Sequence, residues 1–350
     1  MTDNGKSVKR VSKSMSIKKV AAMAGVSIAT VSRSFSHPEL LKKETLEKVE
    51  RARTALQYYP NSLAQNFRRG KSGVIIVIIE NIGDPVYEKF TRTISRIAQS
   101  KGYDILIKET NFKTLGIKYY RDILSSKQAD GLIVIVDPPK MNNKNQSLFD
   151  ELPIIFISNN AESASYRQIG LDNYAAAQTA AQHLIDLGHK NMACITLDTE
   201  NSAYVNREKG FTETLMASNR IAPVVIKIDQ KQQSPDDAVN DILTQHPTVT
   251  AIFCTNDDIA IDVLAKLKQE NVNVPNKISV IGFNNIRYST KTNPPLTTIE
   301  YPLSDIAQCA IKTLCSIIDN TFSVDIDENS NKNLFFHQLI VRSSTTIPPK

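Results

Sequence analysis

A short run near the start of the chain, GVSIATVSRSFSHPE at positions 25–39, combines hydroxyl groups, small apolar side chains and one arginine. The guanidinium of Arg33 can donate two parallel hydrogen bonds to O6 and N7 of a guanine base. The hydroxyls of Ser27, Thr30 and Ser32, together with the free amides of a helix N-terminus, can hold phosphate oxygens. These residue types therefore indicate contacts with double-stranded DNA.

Two short helices and a tight turn would place this run on one surface. Residues Ile17–Ala24 predict a first helix, with Ser16 as its N-cap and Gly25 just past its end, where a positive φ is needed. Ser27 would then cap a second helix over Ile28–Phe35. A helix, a glycine-containing turn and another helix form the helix-turn-helix arrangement.

A third helix over Lys43–Leu56 would complete a small hydrophobic core, because its apolar residues recur at spacings of three and four. The expected core residues are Val20, Ala24, Val26, Val31, Val49 and Leu56. The residues left around the exposed side of the second helix are Ser27, Ile28, Ala29, Thr30, Ser32 and Arg33. Such a surface can enter the major groove of DNA. The alternative is a small helical cap on the rest of the protein.

The charge distribution favours DNA as the partner. Residues 1–72 carry 15 Lys and Arg against 5 Asp and Glu, a net charge of +10. Because the whole chain has a net charge of +6, the remaining residues sum to −4. A basic head on a mildly acidic body suggests a polyanionic partner for the head alone. A solubilising basic tail is the alternative.

From Val74 onward, apolar runs of strand length alternate with amphipathic runs of helix length. The strand-like runs are VIIVII, ILI, GLIVIV and PIIFIS and, after Gly170, MACIT, VVIKI, AIFC and ISVIGF. The helical runs are Tyr87–Ser100, Lys118–Ser126, Tyr174–Leu187, Arg207–Ser218, Pro235–Gln245 and Asp257–Glu270. Continuous apolar strands separated by helices are typical of parallel sheets covered on both faces. Two successive units of similar length predict two α/β lobes with a ligand cleft between them.

Other functional classes are disfavoured by what the sequence lacks. No apolar run approaches the roughly 20 residues that span a membrane, and the polar, basic start has no signal-peptide core. The four cysteines and five histidines follow no metal-ligand spacing, so we expect reduced thiols and no metal or cofactor. The GKS at Gly70–Ser72 precedes a strand, whereas a phosphate-binding loop follows one. We therefore expect a cytoplasmic protein, associated with the nucleoid when DNA-bound, that is neither an enzyme nor a transport-type binding protein.

The segment IKKVAAMAGVSIATVSRSFSHPELLKKETLEKVERARTALQYYPNSLAQNFRRGKSGVIIVII resembles the N-terminus of the lactose-repressor/galactose-repressor (LacI/GalR) family. The pattern V-A-x-x-A-G-V-S-x-x-T-V-S-R, followed by E-T-x-x-x-V and Y-x-P-N-x-x-A, carries the similarity. Later segments agree, among them GYDILI, HLIDLGHKNMACI, VPNKISVIGFNN and PPLTTIEYP. The resemblance implies a transcriptional regulator, with an all-α helix-turn-helix headpiece, a hinge helix and a two-lobed α/β effector domain like that of periplasmic binding proteins.

The resemblance also implies boundaries along the chain. The expected segments are a disordered basic tail over 1–15, the headpiece over 16–60, the hinge helix and linker over 61–73, and the effector-binding and dimerisation domain over 74–350. The first lobe of that domain is expected over about 74–170 and 303–328, and the second over about 171–298 and 333–347. Three crossing strands would join the two lobes.

In this family the second helix reads the major groove, and its variable pair falls on Ile28 and Ala29. Both are apolar here, so Arg33 is expected to make most of the polar base contacts. The hinge helix is implied to fold on operator DNA, with Phe67 as a wedge in the minor groove. Lys42 stands where a serine often caps the third helix, so a weak cap is expected. The implied DNA contacts are Ser16, Ser27, Ile28, Ala29, Thr30, Ser32, Arg33, Tyr58, Asn61, Ser62, Ala64, Gln65, Phe67 and Arg68.

The same resemblance places an effector in the cleft between the lobes. The implied contacts are Tyr87, Ser158, Asn159, Arg207, Gln230, Asn256, Asp257 and Asn284. Tyr87 would offer an aromatic wall, and Arg207 would fork onto a pair of ligand oxygens. Asn256 and Asp257 would both face the cleft from the end of a strand.

The nature of the effector is less sharply indicated. Asn284 and Ser158 stand where the family often has aspartate, so the cleft is expected to carry less negative charge than usual. The segments ENIGDPVYEKF, YVNREKGF and GFNNIRYSTKTNPPLTTI look most like the cytidine-repressor branch of the family. A nucleoside such as cytidine is therefore the favoured effector, with a sugar as the alternative.

A dimer is the expected oligomeric state, because two heads are needed to read the two halves of a near-palindromic operator. The chain ends at TTIPPK without the heptads of a tetramerising helix. The expected partners are operator DNA, a small-molecule effector and a second copy of the chain. A further transcription factor is left open as a partner.

Overall fold

A computed structural model of the protein describes residues 16–59, 70–110, 116–135, 151–158, 168–219, 221–229, 233–321 and 333–349. The chain divides into two compact units, Met1–Ser72 and Gly73–Lys350. The tail predicted over 1–15 and the hinge helix predicted to start at Asn61 lie outside the described residues. Within the described ranges, no helix is long and apolar enough to cross a membrane.

Three helices form the first unit, which we call the headpiece: α1 (Ile17–Ala24), α2 (Ile28–Ser36) and α3 (Lys43–Ala55). The predicted bounds of α1 are confirmed, and those of α2 and α3 each differ by one residue at the end. Gly25 terminates α1 with φ 66°, the left-handed conformation for which glycine was expected. Lys42 precedes α3 without a side-chain cap bond, as predicted.

The headpiece core contains every residue predicted for it. Val20, Ala21, Val31, Val49 and Ala52 are buried, and Ile17, Ala24, Val26, Phe35, Leu56 and Tyr58 pack partly buried against them. Val31 belongs to α2, so its burial fixes which side of that helix faces the core. The opposite side of α2 remains in solvent.

The first lobe of the second unit is a six-stranded sheet with helices packed on it. Its strands are β1 (Val74–Ile79), β2 (Asp104–Glu109), β3 (Gly131–Val134), β4 (Ile154–Ser158), β5 (Gln168–Leu171) and β11 (Asn333–Phe335). They lie in the order β11-β5-β4-β3-β1-β2, and every described pairing is parallel. The packed helices are α4 (Val86–Ser100), α5 (Ile117–Ser125) and α10 (Leu303–Ile318).

The second lobe repeats this plan. Its strands are β6 (Met192–Leu197), β7 (Val224–Ile228), β8 (Ala251–Cys254), β9 (Ser279–Asn284), β10 (Thr297–Glu300) and β12 (Gln338–Ile340), in the order β12-β10-β9-β8-β6-β7. Its helices are α6 (Asn173–Asp186), α7 (Ser202–Asn219), α8 (Pro235–Gln245) and α9 (Asp257–Gln269). The predicted two-lobed α/β architecture is therefore confirmed.

Some details differ from the sequence-based expectation. Strand β12 runs antiparallel to β10, whereas the other described pairings of this sheet are parallel. Strand β11 pairs with β5, so residues 333–335 belong to the first lobe and not to the second. Helix α7 begins at Ser202, five residues before its predicted start at Arg207.

Candidate functional site

The exposed side of α2 begins with a hydroxyl cap. Ser27 Oγ accepts a hydrogen bond from the Thr30 amide at 3.0 Å and lies 2.9 Å from the Thr30 hydroxyl. Ala29 and Arg33 are exposed, and 41% of Ile28 is accessible. The structure therefore brings the predicted reading residues onto one surface, although the Ser27 and Thr30 hydroxyls already bond to each other.

Other predicted DNA contacts in the headpiece have different surroundings. Ser16 precedes α1 in an extended conformation, and its side chain makes no cap bond. Ser32 is half-buried. Tyr58 packs against the headpiece core, with its ring centre 6.3 Å from that of Phe35. The predicted hinge contacts lie outside the described residues: Asn61, Ser62, Ala64, Gln65, Phe67 and Arg68.

The basic charge of the headpiece is unevenly neutralised. On α3, three exposed pairs form between neighbouring turns, Lys48–Glu44, Arg51–Glu47 and Arg53–Glu50. The described residues include no carboxylate paired with Lys18, Lys19 or Arg33 on the first two helices. Lys18, Lys19 and Arg33 can therefore attract phosphate.

The second unit contains a cleft of about 940 Å³ where the carboxyl ends of strands from both sheets meet. From the first lobe, Glu80 and Asp84 follow β1 and Tyr87 lies in the first turn of α4. From the second lobe, Asp198 follows β6 and Asn284 ends β9. The cavity lies where the alternation of strands and helices predicts a ligand.

Arg207 is buried in the cleft wall and held by neutral partners. Its Nε donates to Asn173 Oδ1 at 2.8 Å, and its Nη1 donates to the Thr255 carbonyl at 2.7 Å. Its guanidinium carbon lies 3.8 Å from the centre of the Phe283 ring. The Nε–H, which a forked contact through the Nε and Nη2 edge would need, is therefore committed to the protein, as is one N–H of Nη1. The predicted fork onto a ligand could form only at the end that carries the two Nη atoms.

Aromatic rings line the cleft from both lobes. Tyr87, Tyr204 and Tyr301 all border the cavity. Burial and the neighbouring Asp84 and Glu80 carboxylates raise the pKa of Tyr87 well above its usual range. The Tyr87 hydroxyl therefore stays protonated at neutral pH and can donate a hydrogen bond.

Asparagine side chains contribute at two strand ends. Asn256 is the N-cap of α9, where its Oδ1 accepts from the Ile259 amide at 2.8 Å and its Nδ2 donates to Tyr204 Oη at 3.2 Å. Asn284 is 8% exposed, and its buried Oδ1 has no hydrogen-bond partner within the described part of the chain. A buried acceptor without a donor is costly, so this atom can gain from a ligand N–H or O–H.

The prediction that Asp257 faces the cleft is wrong. Its carboxylate is fully buried beneath the start of α9 and accepts from the Ser289 and Thr298 hydroxyls at 2.6 Å and from the Ile286 amide at 3.0 Å. The next residue, Asp258, lines the cavity instead. Burial and the nearby Asp84 and Asp257 carboxylates raise the pKa of Asp258 to about 6.

The cleft also contains carboxyl groups beyond the predicted contacts. Among the described lining residues, one guanidinium faces six carboxyl groups, which we call the acidic lining: Glu80, Asp84, Asp198, Asp229, Asp258 and Asp262. None of these six was predicted as an effector contact. The family positions 158 and 284 do lack aspartate, but acids from other loops supply the charge. Their only sequence signal is that several directly follow, or lie near, an apolar strand.

Three predicted effector contacts remain, Ser158, Asn159 and Gln230. Ser158 is the last residue of β4, which places its backbone at a carboxyl strand end. Asn159 and Gln230 lie outside the described residues.

Comparisons with known proteins bear on both units. Residues 16–61 match the model of the bacterial regulatory proteins of the lacI family, and residues 181–345 match a periplasmic binding protein-like domain. The HTH-type transcriptional repressor CytR of Escherichia coli (strain K12) is 28% identical over 335 residues, which cover 95% of this chain and 97% of that protein. The HTH-type transcriptional repressor PurR of Histophilus somni (strain 2336) is 30% identical over 305 residues, which cover 85% and 90%.

A solved structure agrees with this relationship. The lac repressor dimer bound to operator and the anti-inducer ONPF matches with a TM-score of 0.79 and 22% identity, over 95% of this chain and 99% of that chain. At that identity the match shows the shared fold. Because the relatives are transcriptional repressors, the chain is a regulator and not an enzyme. The chain belongs to the lacI family of bacterial regulatory proteins and is a DNA-binding transcriptional repressor with an effector domain.

Proposed function

We propose that two copies of this chain bind a near-palindromic operator, and that a nucleoside such as cytidine binds the cleft and changes the affinity for that operator. The observation that carries the proposal is the cavity of about 940 Å³, lined from both lobes by tyrosines, carboxylates and Asn284. Aromatic walls suit a base, and carboxylates suit ribose hydroxyls and exocyclic amino groups. The resemblance of ENIGDPVYEKF, YVNREKGF and GFNNIRYSTKTNPPLTTI to the cytidine-repressor branch supports a ligand of this class.

Dimerisation is supported by an apolar edge on the first lobe. Strand β2 is the last strand of its sheet, and 51% of Leu106 and 40% of Ile107 on it are accessible. Ile82, in the turn after β1, is 64% accessible. An exposed apolar edge strand is a surface that a second copy can cover. The operator-bound lac repressor is itself a dimer, which supports a dimer of this chain.

The oligomeric state is tested by charge insertion at that edge. Leu106→Lys should convert the dimer to a monomer in sedimentation velocity and weaken operator binding. Val341→Lys is the matched control, since Val341 is 59% accessible but lies in the second lobe beyond β12. A Leu106→Lys variant that stays dimeric, or a Val341→Lys variant that dissociates equally, would contradict the proposed interface.

The effector is tested by thermal unfolding of the full chain with nucleosides, nucleobases and monosaccharides. A ligand at 100 times its Kd should stabilise the protein by about 2.7 kcal/mol. We expect cytidine or another nucleoside to raise the Tm, and Arg207→Ala to lose that response. If no nucleoside raised the Tm, this effector class would be excluded.

A sugar is the second candidate, because carboxylates beside aromatic rings also bind sugar hydroxyls. The acidic lining and Tyr87 provide this combination. A Tm shift with monosaccharides alone would favour it. In either case operator affinity should fall steeply with salt, as expected for a protein that neutralises phosphates.

A further inference from the structure

The strand end that brings Asn284 to the cleft has an unusual backbone. Asn284, the last residue of β9, has φ 108°, and Asn285 has φ 48°. Asparagine tolerates the left-handed region near +60°, which suits Asn285, but 108° lies outside that region for a residue with a side chain. Such a backbone persists only where the surrounding contacts hold it. We call residues 284–286 the corner.

One side of the corner is held by Asp257. The Ile286 amide donates to Asp257 Oδ2 at 3.0 Å, and the Ser289 hydroxyl donates to the same oxygen at 2.6 Å. The Thr298 hydroxyl, on the neighbouring strand β10, donates to Asp257 Oδ1 at 2.6 Å. None of these three bonds involves the side chain of Asn285.

The Asn285 side chain is held by a residue from the end of the chain. Arg342 follows β12, and its Nη2 donates to Asn285 Oδ1 at 2.7 Å. Its Nη1 donates to the Leu296 carbonyl at 2.6 Å, and its backbone amide donates to the Thr297 hydroxyl at 3.0 Å. Because the planar guanidinium is anchored through one nitrogen and through its own backbone, the other nitrogen fixes Asn285 Oδ1 in one place.

This contact lies behind the cleft wall. Asn284 borders the cavity, whereas Arg342 and Asn285 are not among its described lining residues. Both are half-buried. The direction in which the Asn284 side chain leaves the main chain depends on the backbone of the corner. The Arg342 contact can therefore act on the cleft through the corner.

We propose that Arg342 is a positioning residue for the effector site, which holds the corner through Asn285 and thereby keeps Asn284 at the cleft wall. This inference rests on the proposal that the cleft binds a small effector. A site that is already in its binding conformation loses less free energy on binding, and a site that adopts this conformation only part of the time binds more weakly in proportion. Loss of the Arg342 contact should therefore weaken effector binding without removing any lining residue.

The test measures the corner and the binding separately. Arg342→Met removes the donors and keeps a long side chain. Hydrogen–deuterium exchange of peptides covering residues 283–288, in the free full-length protein, reports on the corner, and titration calorimetry with cytidine reports on binding. We expect roughly tenfold faster exchange. We expect about tenfold lower affinity, as for the loss of one hydrogen bond to a charged group.

Arg287→Met is the matched control. Arg287 directly follows the corner and is exposed, so the variant loses the same charge nearby without losing the contact to Asn285. It should change neither exchange nor affinity. Urea unfolding shows whether each variant is folded.

Asn285→Gly separates positioning from general stabilisation. Glycine adopts φ 48° without a contact to hold it. If Arg342 acts through Asn285, Arg342→Met made in the Asn285→Gly background should change exchange and affinity by less than about twofold further. If Arg342 only stabilises the lobe through the Leu296 carbonyl, the same losses occur in both backgrounds.

Each outcome decides the inference. Unchanged exchange in Arg342→Met, or equal losses in the two backgrounds, would overturn it whether or not cytidine binds. Faster exchange with unchanged affinity for cytidine would overturn it as well, because the corner would then have no influence on the effector. If cytidine does not bind the parent protein, the proposed effector is wrong, and the exchange measurements alone decide whether Arg342 holds the corner.

Discussion

Helices α2 and α9 begin with the same local device but in opposite electrostatic surroundings. Ser27 caps α2 by accepting from the amide three residues ahead at 3.0 Å, and Asn256 caps α9 in the same way at 2.8 Å. The first turn of α2 contains no acidic residue, whereas that of α9 contains Asp257 and Asp258. A helix N-terminus carries partial positive charge, so α2 remains attractive to phosphate and α9 has its charge already offset.

The residues that follow a cap therefore influence which ligand a helix N-terminus can bind. Around α2, exposed small residues and Arg33 leave space for a polyanion. Around α9, carboxylates from both lobes favour a ligand that donates hydrogen bonds. The four predictions that follow test this contrast, from the largest expected effect to the smallest.

Asp257 and Asp258 should respond very differently to truncation. Asp257→Ala leaves the Ser289 and Thr298 hydroxyls and the Ile286 amide without their acceptor, so the free energy of unfolding should fall by about 3 kcal/mol. Asp258→Ala should change it by less than about 1 kcal/mol. Urea unfolding of the full chain measures both. Equal losses would contradict the separate roles assigned to the two neighbours.

Arg33 should make the main contribution of α2 to discrimination between DNA bases. Arg33→Ala should reduce the preference for operator over unrelated DNA by about 2 kcal/mol, since one bidentate contact is lost. Lys18→Ala serves as the control, because a phosphate contact should weaken binding to all sequences alike. Operators are obtained by selection from random duplexes, and both affinities are measured by fluorescence anisotropy. An equal loss of affinity for operator and unrelated DNA in Arg33→Ala would show that Arg33 contacts the DNA backbone and not the bases.

The stability effect of Asp258 should depend on pH. Its pKa of about 6 in the folded protein exceeds the ordinary value of 3.8. Between these values the folded state holds a proton that the unfolded chain has released, so stability falls as pH rises through this window. Asp258→Asn removes that loss. The stability of Asp258→Asn minus that of the parent should therefore increase by about 1 kcal/mol between pH 5 and pH 7.

Urea midpoints at the two pH values measure this change. Asp305→Asn, with its exposed carboxylate, controls for a general effect of removing charge. A difference that is independent of pH would show that Asp258 is not held away from water in the folded state.

The smallest expected effect is on the α2 cap. Ser27→Ala should destabilise the headpiece by about 0.5–1 kcal/mol, because the Thr30 amide loses its acceptor. Ser27→Asp should preserve the cap and the headpiece Tm, yet weaken DNA binding by placing a carboxylate beside phosphate. Thermal unfolding and salt titration of DNA binding measure the two effects. If Ser27→Asp retained its DNA affinity, the N-terminus of α2 would not be part of the DNA interface.

The headpiece and the two-lobed plan follow from patterns within the sequence. Helix α1, the left-handed turn at Gly25 and the burial of Val31 follow from local spacing and glycine's conformational freedom. Long apolar strands and the helices between them were equally readable. Strands β5, β10, β11 and β12 were not predicted, because three or four residues show no clear period.

The set of side chains that share the cleft depends on the tertiary fold. Asp84 and Asp198 lie in loops and Asp258 lies in the first turn of α9, far apart in the sequence, and they meet because parallel strands end at one edge of each sheet. Successive residues of a helix point about 100° apart, so Asp257 enters the core while Asp258 enters the cleft. No local pattern distinguishes two adjacent aspartates, because the hydroxyls of Ser289 and Thr298 that select Asp257 arrive from other elements.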